Sequence, residues 1–212
     1  MLYVLGDSNA VGTAEYLLGS FADQTNRVDA TLAEKGRTTQ WLAGELAKRV
    51  KTGLPRASAV FLFVGMNDVC DGGQLAARIL GLVGTLLLLT DAPVLVAPPF
   101  CVAGAGDPNG MCGARKEASR LLRARLKPQS RVTLVTVHCL VQGERAGELH
   151  GRFRTTKKHS TLLDPLHPSK WGYKTIATKV DALARETASG MRERLPSAKA
   201  RDATSATKRR RG

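Results

Sequence analysis

A serine stands directly behind a short apolar run in VLGDSNAVG, residues 4–12 of this 212-residue chain. At a sharp strand-to-helix turn such a hydroxyl is exposed at the end of a sheet, with the N–H groups of the turn and the helix N-terminus aimed the same way. Serine is a weak nucleophile at its free pKa, so Ser8 can attack a carbonyl only with a base in reach. The chain has four histidines, His138, His150, His159 and His167. His167 is the best candidate because it stands in DPLHPSKWGY, three residues after Asp164. On a turn leading into a helix, a D-x-x-H spacing lets the carboxylate accept the Nδ1–H of the imidazole. That fixes the tautomer and leaves Nε2 to take the serine proton.

Two more stretches can supply electrophilic help. In GMND, Asn67 lies just past the strong apolar run AVFLFVG, residues 59–65, where its amide N–H can point at a developing oxyanion. In EKGRTT, Gly36 can offer an unhindered backbone N–H. Each part also has an ordinary structural reading: Asp164 as a helix cap, His167 as a satisfied surface residue, Asn67-Asp68 as a turn and Gly36 as a loop glycine. The set, in its order and placement, is more specific than any member.

Those residues resemble the motif blocks of the SGNH hydrolases, the GDSL-type esterases: Gly6-Asp7-Ser8 with Gly12, Gly36, Gly65-x-Asn67-Asp68, and Asp164-x-x-His167 with Pro168. The resemblance spans roughly Leu2 to Ala188. It implies Ser8 as nucleophile, His167 as general base and Asp164 as its orienting acid. The oxyanion hole it implies consists of the N–H groups of Ser8 and Gly36 and the side chain of Asn67. It further implies two-step acyl transfer through an acyl-serine, without metal or organic cofactor, on a small ester such as an acetylated carbohydrate. Asp7 is expected to brace the turn.

Elements must bring these residues together. LYVLG, AVFLFVG, PVLVAPP and RVTLVTV read as buried strands. Helical spacing covers Ala10 to Phe21, Thr38 to Lys51, Gln74 to Thr90, ARKEASRLLRARLK, and a last helix opened by Pro168. Strand-helix alternation with short connections predicts a three-layer α/β/α sandwich with a mostly parallel central sheet, SGNH- or flavodoxin-like. In such sheets ligands bind beyond the carboxyl ends of the strands, where the Ser8, Asn67 and His167 segments all converge. Two loops, Pro98 to Gly113 and Gln142 to Leu163, are candidate substrate loops, the second carrying the basic run GRFRTTKKHS. Neither has a long apolar lid, which favours small acyl groups.

The formal net charge is +14. Residues 191–212 hold eight Lys and Arg against Glu193 and Asp202, so a domain over 1–190 is expected to carry a basic, disordered tail over 191–212. That tail suits nonspecific, salt-sensitive contact with nucleic acid or another polyanion, or a nuclear or particle address. With no secretory signal visible, the protein is expected to be intracellular. The apolar run Ile79 to Leu89 is too short for a transmembrane segment and reads as a buried helix. Cys101 and Cys112 flank a Gly-rich loop and can close a disulfide in an oxidising setting, whereas in a reducing compartment they are expected as free thiols. No C-x2-C pair exists, so a metal site is not expected. Two other functions are open: a non-catalytic module of this fold that uses its basic tail and loop to bind nucleic acid or to assemble into a particle, and acyl transfer to an acceptor other than water through the same residues.

Overall fold

The computed structural model describes residues 1–20, 27–102, 110–126, 131–135, 148–149, 154–156, 163–168 and 170–194. In chain order the elements are β1 (Leu2–Gly6), α1 (Ser8–Ser20), β2 (Val28–Ala33), α2 (Thr39–Lys48), β3 (Ala59–Phe63), α3 (Gly72–Leu89) and β4 (Val94–Ala97). After these come β5 (Cys101–Val102), α4 (Cys112–Arg125), β6 (Val132–Leu134), β7 (Glu148–Leu149), β8 (Arg154–Thr156), β9 (Leu163–Pro168) and α5 (Lys170–Arg194). Five strands form one parallel sheet in the order β2-β1-β3-β4-β6.

The continuous apolar runs are central because both of their faces are covered. Leu2, Val4, Phe61, Phe63, Leu95 and Ala97 point into one core with Ala10, Ala14 and Leu17 of α1 and Ile176, Ala177 and Val180 of α5. The alternate residues Tyr3, Leu5, Val60, Leu62, Val94 and Val96 point into a second core with Leu42 and Leu46 of α2, Ile79 and Val83 of α3, and Leu122 of α4. Burying each large apolar side chain contributes about 1.5–3 kcal/mol, so a sheet buried on both faces needs helices on each. The period-2 alternation therefore sorts residues between two helical layers.

From β1 the chain runs outward to β2, then returns past β1 to β3 on its other side. The strand order thus reverses between β1 and β3, and the carboxyl ends of those two strands open the crevice where this topology binds ligands.

Several details depart from the sequence expectations. β2 was not anticipated: VDATLA is an edge strand with a half-exposed pattern, and Asp29 accepts from the Thr31 N–H and hydroxyl at 3.0 and 2.7 Å, so it lacks an apolar run. α1 begins at Ser8 itself, two residues before the expected start. Pro168 ends β9 instead of opening the last helix, which starts at Lys170. The D-x-x-H segment accordingly lies in a short antiparallel pairing with β8, not in a simple turn. That pairing is irregular: Arg154 faces Pro168 while Thr155 faces Asp164, so one step along β8 matches four along β9 and the residues between leave the regular ladder.

α5 continues through Arg194, past the expected boundary at residue 190; residues 195–212 lie outside the described residues. α3 is longer than its apolar run. Asp71 caps it by accepting from the Gln74 N–H at 2.8 Å, and over 18 residues it is long and apolar enough to cross a membrane by length and composition. In this fold its Leu75, Ile79, Leu82, Val83 and Leu86 pack into the second core. Cys112, the first residue of α4, is disulfide-bonded, which corrects the free-thiol expectation there. That expectation rested on compartment chemistry, whereas the fold brings a partner sulfur to the start of α4. Cys70 is a free thiol.

Candidate active site

The site begins at a glycine that no other residue can replace. Gly6 ends β1 at φ +142°, and a Cβ there would lie 1.9 Å from the Phe63 carbonyl oxygen. That close approach lets the Asp7 N–H donate to the same oxygen at 3.2 Å, and the Gly6 carbonyl accepts from the Glu34 N–H at 3.0 Å. The turn after β1 is thus tied to both neighbouring strands, and the next residue, Ser8, starts α1.

Asp7 is fully buried. Its carboxylate accepts from the Asn9 N–H at 2.9 Å and from the Met66 N–H at 3.1 Å, joining the Ser8 turn to the GMND turn after β3. Burial pushes its carboxyl up to about 6, against the opposing pull of those N–H groups and of nearby His167. The Met66 carbonyl accepts from the buried Arg115 guanidinium of α4 at 2.9 Å. The peptide units just before Asn67 are therefore held by Asp7 on one side and Arg115 on the other.

Asn67 and Asp68 tie this turn to the Gly36 loop. One amide N–H of Asn67 donates to the Arg37 carbonyl at 3.0 Å. Since a carboxamide carries two N–H groups, this bond orients the amide and leaves its second hydrogen for another acceptor. The buried Asp68 carboxylate accepts from the Thr39 N–H at 2.9 Å and the Thr39 hydroxyl at 2.5 Å, fixing the first turn of α2. Arg78 donates to the same carboxylate at 3.3 Å. Gly36 sits at φ +75° with no atom within 4 Å of where a Cβ would be. Among the described residues, no acceptor takes the N–H of Ser8 or of Gly36.

The decisive distance spans the chain. His167 Nε2 lies 2.7 Å from Ser8 Oγ, across 159 positions. For the hydroxyl to donate, Nε2 must be unprotonated and the proton of the neutral ring must sit on Nδ1. α5 holds His167 there by docking on α1. The Tyr173 ring fills the space beside Gly12, where a Cβ would come within 2.5 Å of it, and the Tyr173 hydroxyl donates to Asn9 Oδ1 at 3.1 Å. The backbone of Asp164 lies in β9; its carboxylate lies outside the described residues.

Ser8 and His167 line a cleft of about 370 Å³ together with Gly12, Glu15, Tyr16, Lys35, Pro168, Lys170 and Tyr173. Lys35 belongs to this wall, whereas its neighbour Gly36 and Asn67 are not among the lining residues. Most of the two candidate substrate loops, including residues 103–109, 142–147 and 157–162, lies outside the described residues. Among the described residues no group of three or more His, Cys, Asp and Glu is placed to hold a metal ion.

A family profile described as the GDSL-like lipase/acylhydrolase family matches residues 4–175. The chain belongs to that family. Its members are ester hydrolases, and the chain is one by class. Among solved structures it is similar to a lipolytic protein of the G-D-S-L family from Veillonella parvula, with TM-score 0.62 and 16% identity over 85% of this chain and 96% of that one. It is similar as well to a GDSL-like lipase from Bacteroides thetaiotaomicron, with TM-score 0.64 and 13% identity over 87% of each chain. The catalytic domain of a peptidoglycan O-acetyltransferase from Streptococcus pneumoniae matches with TM-score 0.56 and 14% identity over 89% of this chain and 94% of that one. At these identities the three likenesses speak to the fold. No curated protein matches the chain in sequence.

The motifs of this GDSL-like site name Asp7, Gly12, Asn67 and Asp68 but not the distant partners Arg37, Thr39 and Arg115 that hold its turns in place. Asp68–Thr39 and Asn67–Arg37 are carboxylate and amide ties between segments about thirty positions apart, and a turn-forming Asn-Asp pair gives no sign of its distant partner. Arg115 looks like any cation on an amphipathic helix, yet it is buried. Gly12 belongs to the first motif block, and a glycine one turn into a helix, which destabilises it by about 1 kcal/mol, signals a close neighbour without saying that the neighbour is Tyr173.

Proposed function

We propose that this GDSL-family chain is a serine ester hydrolase that removes small acyl groups, acetyl above all, from a carbohydrate or similar alcohol through an acyl-Ser8 intermediate. The 2.7 Å contact between Ser8 Oγ and His167 Nε2 carries the reading. His167 takes the Ser8 proton as the oxygen attacks the ester carbonyl. The same imidazolium then hands that proton to the leaving alcohol. Water repeats the sequence on the acyl-enzyme, with His167 again as base. Asp164 is assigned to orient the imidazole from Nδ1, on the strength of its D-x-x-H spacing.

The oxyanion of the tetrahedral intermediate is assigned to the N–H groups of Ser8 and Gly36 and the second amide hydrogen of Asn67. Their anchoring supports this, because donors already fixed by Asp7, Asp68 and the Arg37 carbonyl need no reorganisation when charge develops. Removing one such donor typically lowers kcat by about 10²–10³-fold. For the basic segment over residues 192–212 the proposal is auxiliary, salt-sensitive contact with a polyanion.

A serine-directed fluorophosphonate and 4-nitrophenyl acetate test the reading. Wild type should label and turn over, while Ser8→Ala should do neither. His167→Ala should lose at least about 10³-fold in kcat. Equal labelling of wild type and Ser8→Ala would sink the assignment.

A further inference from the structure

The cleft that holds Ser8 and His167 also presents two ammonium groups. Lys35, from the loop after β2, and Lys170, the first residue of α5, both line it and both are exposed. Other surface cations here have found local acids: Arg37 pairs with Glu34 at 2.5 Å, Lys48 with Glu45 at 2.5 Å, Arg120 with Glu117 at 2.7 Å and Arg185 with Asp181 at 2.8 Å. Neither cleft lysine makes an ion pair among the described residues. The acid nearest Lys35 in sequence, Glu34, is taken by Arg37. α5 offers Lys170 no acid before Asp181.

The lining also includes one carboxylate, Glu15, seven residues beyond Ser8 on α1. Seven residues is about 10 Å along a helix, so Glu15 stands two turns from the nucleophile. The lysines, in contrast, belong to the segments that bear the reacting parts: Lys35 adjoins Gly36, and Lys170 follows His167 by three positions. Among the described residues, a substrate entering the cleft meets two positive charges in those segments that pair with no acid, and one negative charge two turns along α1.

We infer that the alcohol half of the natural ester carries an anionic group, as an acetylated acidic carbohydrate does, and that Lys35 and Lys170 are the residues that select it. The inference rests on the esterase reading and sharpens its substrate class. A small acyl group leaves the charge to the alcohol, whose acid group sits against the two ammonium ions and points away from Glu15.

The test compares isosteric esters: 3-acetoxybenzoate, charged on the alcohol side; 3-acetoxybenzamide, its neutral counterpart; and monophenyl succinate, charged on the acyl side, with phenyl butyrate as its neutral counterpart. At low salt kcat/KM should favour 3-acetoxybenzoate over the benzamide by roughly fivefold or more, the scale of two partly exposed charge pairs. That ratio should fall toward one in Lys35→Gln/Lys170→Gln and persist in Lys35→Arg/Lys170→Arg. It should also shrink in 1 M salt, where the Debye length is about 3 Å. A wild-type ratio of one, a ratio unmoved by the Gln pair, or a preference confined to the succinate over the butyrate overturns the inference while leaving the esterase reading intact. No turnover of any ester above Ser8→Ala removes both.

Discussion

Gly6 and Gly36 both have positive φ, and their surroundings separate two kinds of requirement. At Gly6 a Cβ would lie 1.9 Å from a backbone oxygen of the neighbouring strand, which has no side-chain freedom with which to yield. Gly6→Ala should therefore cost about 3 kcal/mol or more through combined strain and overpacking, visible as a large loss of urea stability or failure to fold. At Gly36 the space is open and only φ +75° opposes a side chain, at about 1–2 kcal/mol. Gly36→Ala should fold with a Tm lower by a few degrees. It should nevertheless lose activity, because a shifted backbone re-aims the proposed oxyanion N–H. If Gly36→Ala retains full kcat, that N–H is not a donor in the reaction.

The docking of α5 on α1 decides whether His167 reaches Ser8. Gly12 is the contact that sets their separation, since a Cβ there would meet the Tyr173 ring at 2.5 Å. Gly12→Ala should remove a helix-interior glycine, which favours α1 itself, and still push α5 outward. A displacement of about 1 Å at a reacting group can lower the rate by about 10²-fold. Gly12→Ala should thus show near-normal stability with a reduced kcat, and shrinking the ring with Tyr173→Leu should return part of that activity in the double variant. Unchanged kcat in Gly12→Ala would show that the helix packing absorbs the methyl without moving His167. The same reasoning applies to α2, whose first turn is tied by Asp68 through Thr39. Asp68→Asn should lower kcat more than it raises KM, because it loosens the Gly36 loop without touching substrate.

Across the whole molecule, the buried Asp7 couples the folding of two strand ends to pH. Its carboxyl is raised from 3.8 to about 6, so between those values the folded state binds more protons than the unfolded chain. The contribution of this group to stability is then greatest below pH 3.8 and falls as pH rises through about 6, by about 3 kcal/mol in all. Urea unfolding of wild type and Asp7→Asn at pH 4 and pH 7 should show wild type losing stability relative to the variant as pH rises. A parallel pH dependence in the two proteins would mean that Asp7 titrates near its ordinary range. The ionised form at neutral pH is retained because the carboxylate accepts N–H groups from both turns, so stability is given up where it positions Ser8 and Asn67.

The sequence by itself determined the layered architecture and the cast of the site. Continuous apolar strands demand cover on both faces, and Gly-Asp-Ser, Gly-x-Asn-Asp and D-x-x-H are local spacings whose chemistry can be read residue by residue. It did not reveal β2, whose polar edge pattern carries no apolar signal, or the true end of the segment before α5, where Pro168 closes a strand. The sequence leaves the bonding of Cys112 open, because compartment chemistry says nothing about which sulfurs the fold brings together. Only the tertiary structure decided that His167 meets Ser8 at 2.7 Å, that Asp7 and Asp68 bind the motif turns to one another while Arg115 ties the turn after β3 to α4, and that Lys35 and Lys170 share a cleft. Periodicity and motifs report what each segment prefers within a few residues. Contacts across thirty to 159 positions depend instead on which helix faces dock and how closely, and here that was set by a glycine without a side chain and an aromatic ring placed against it.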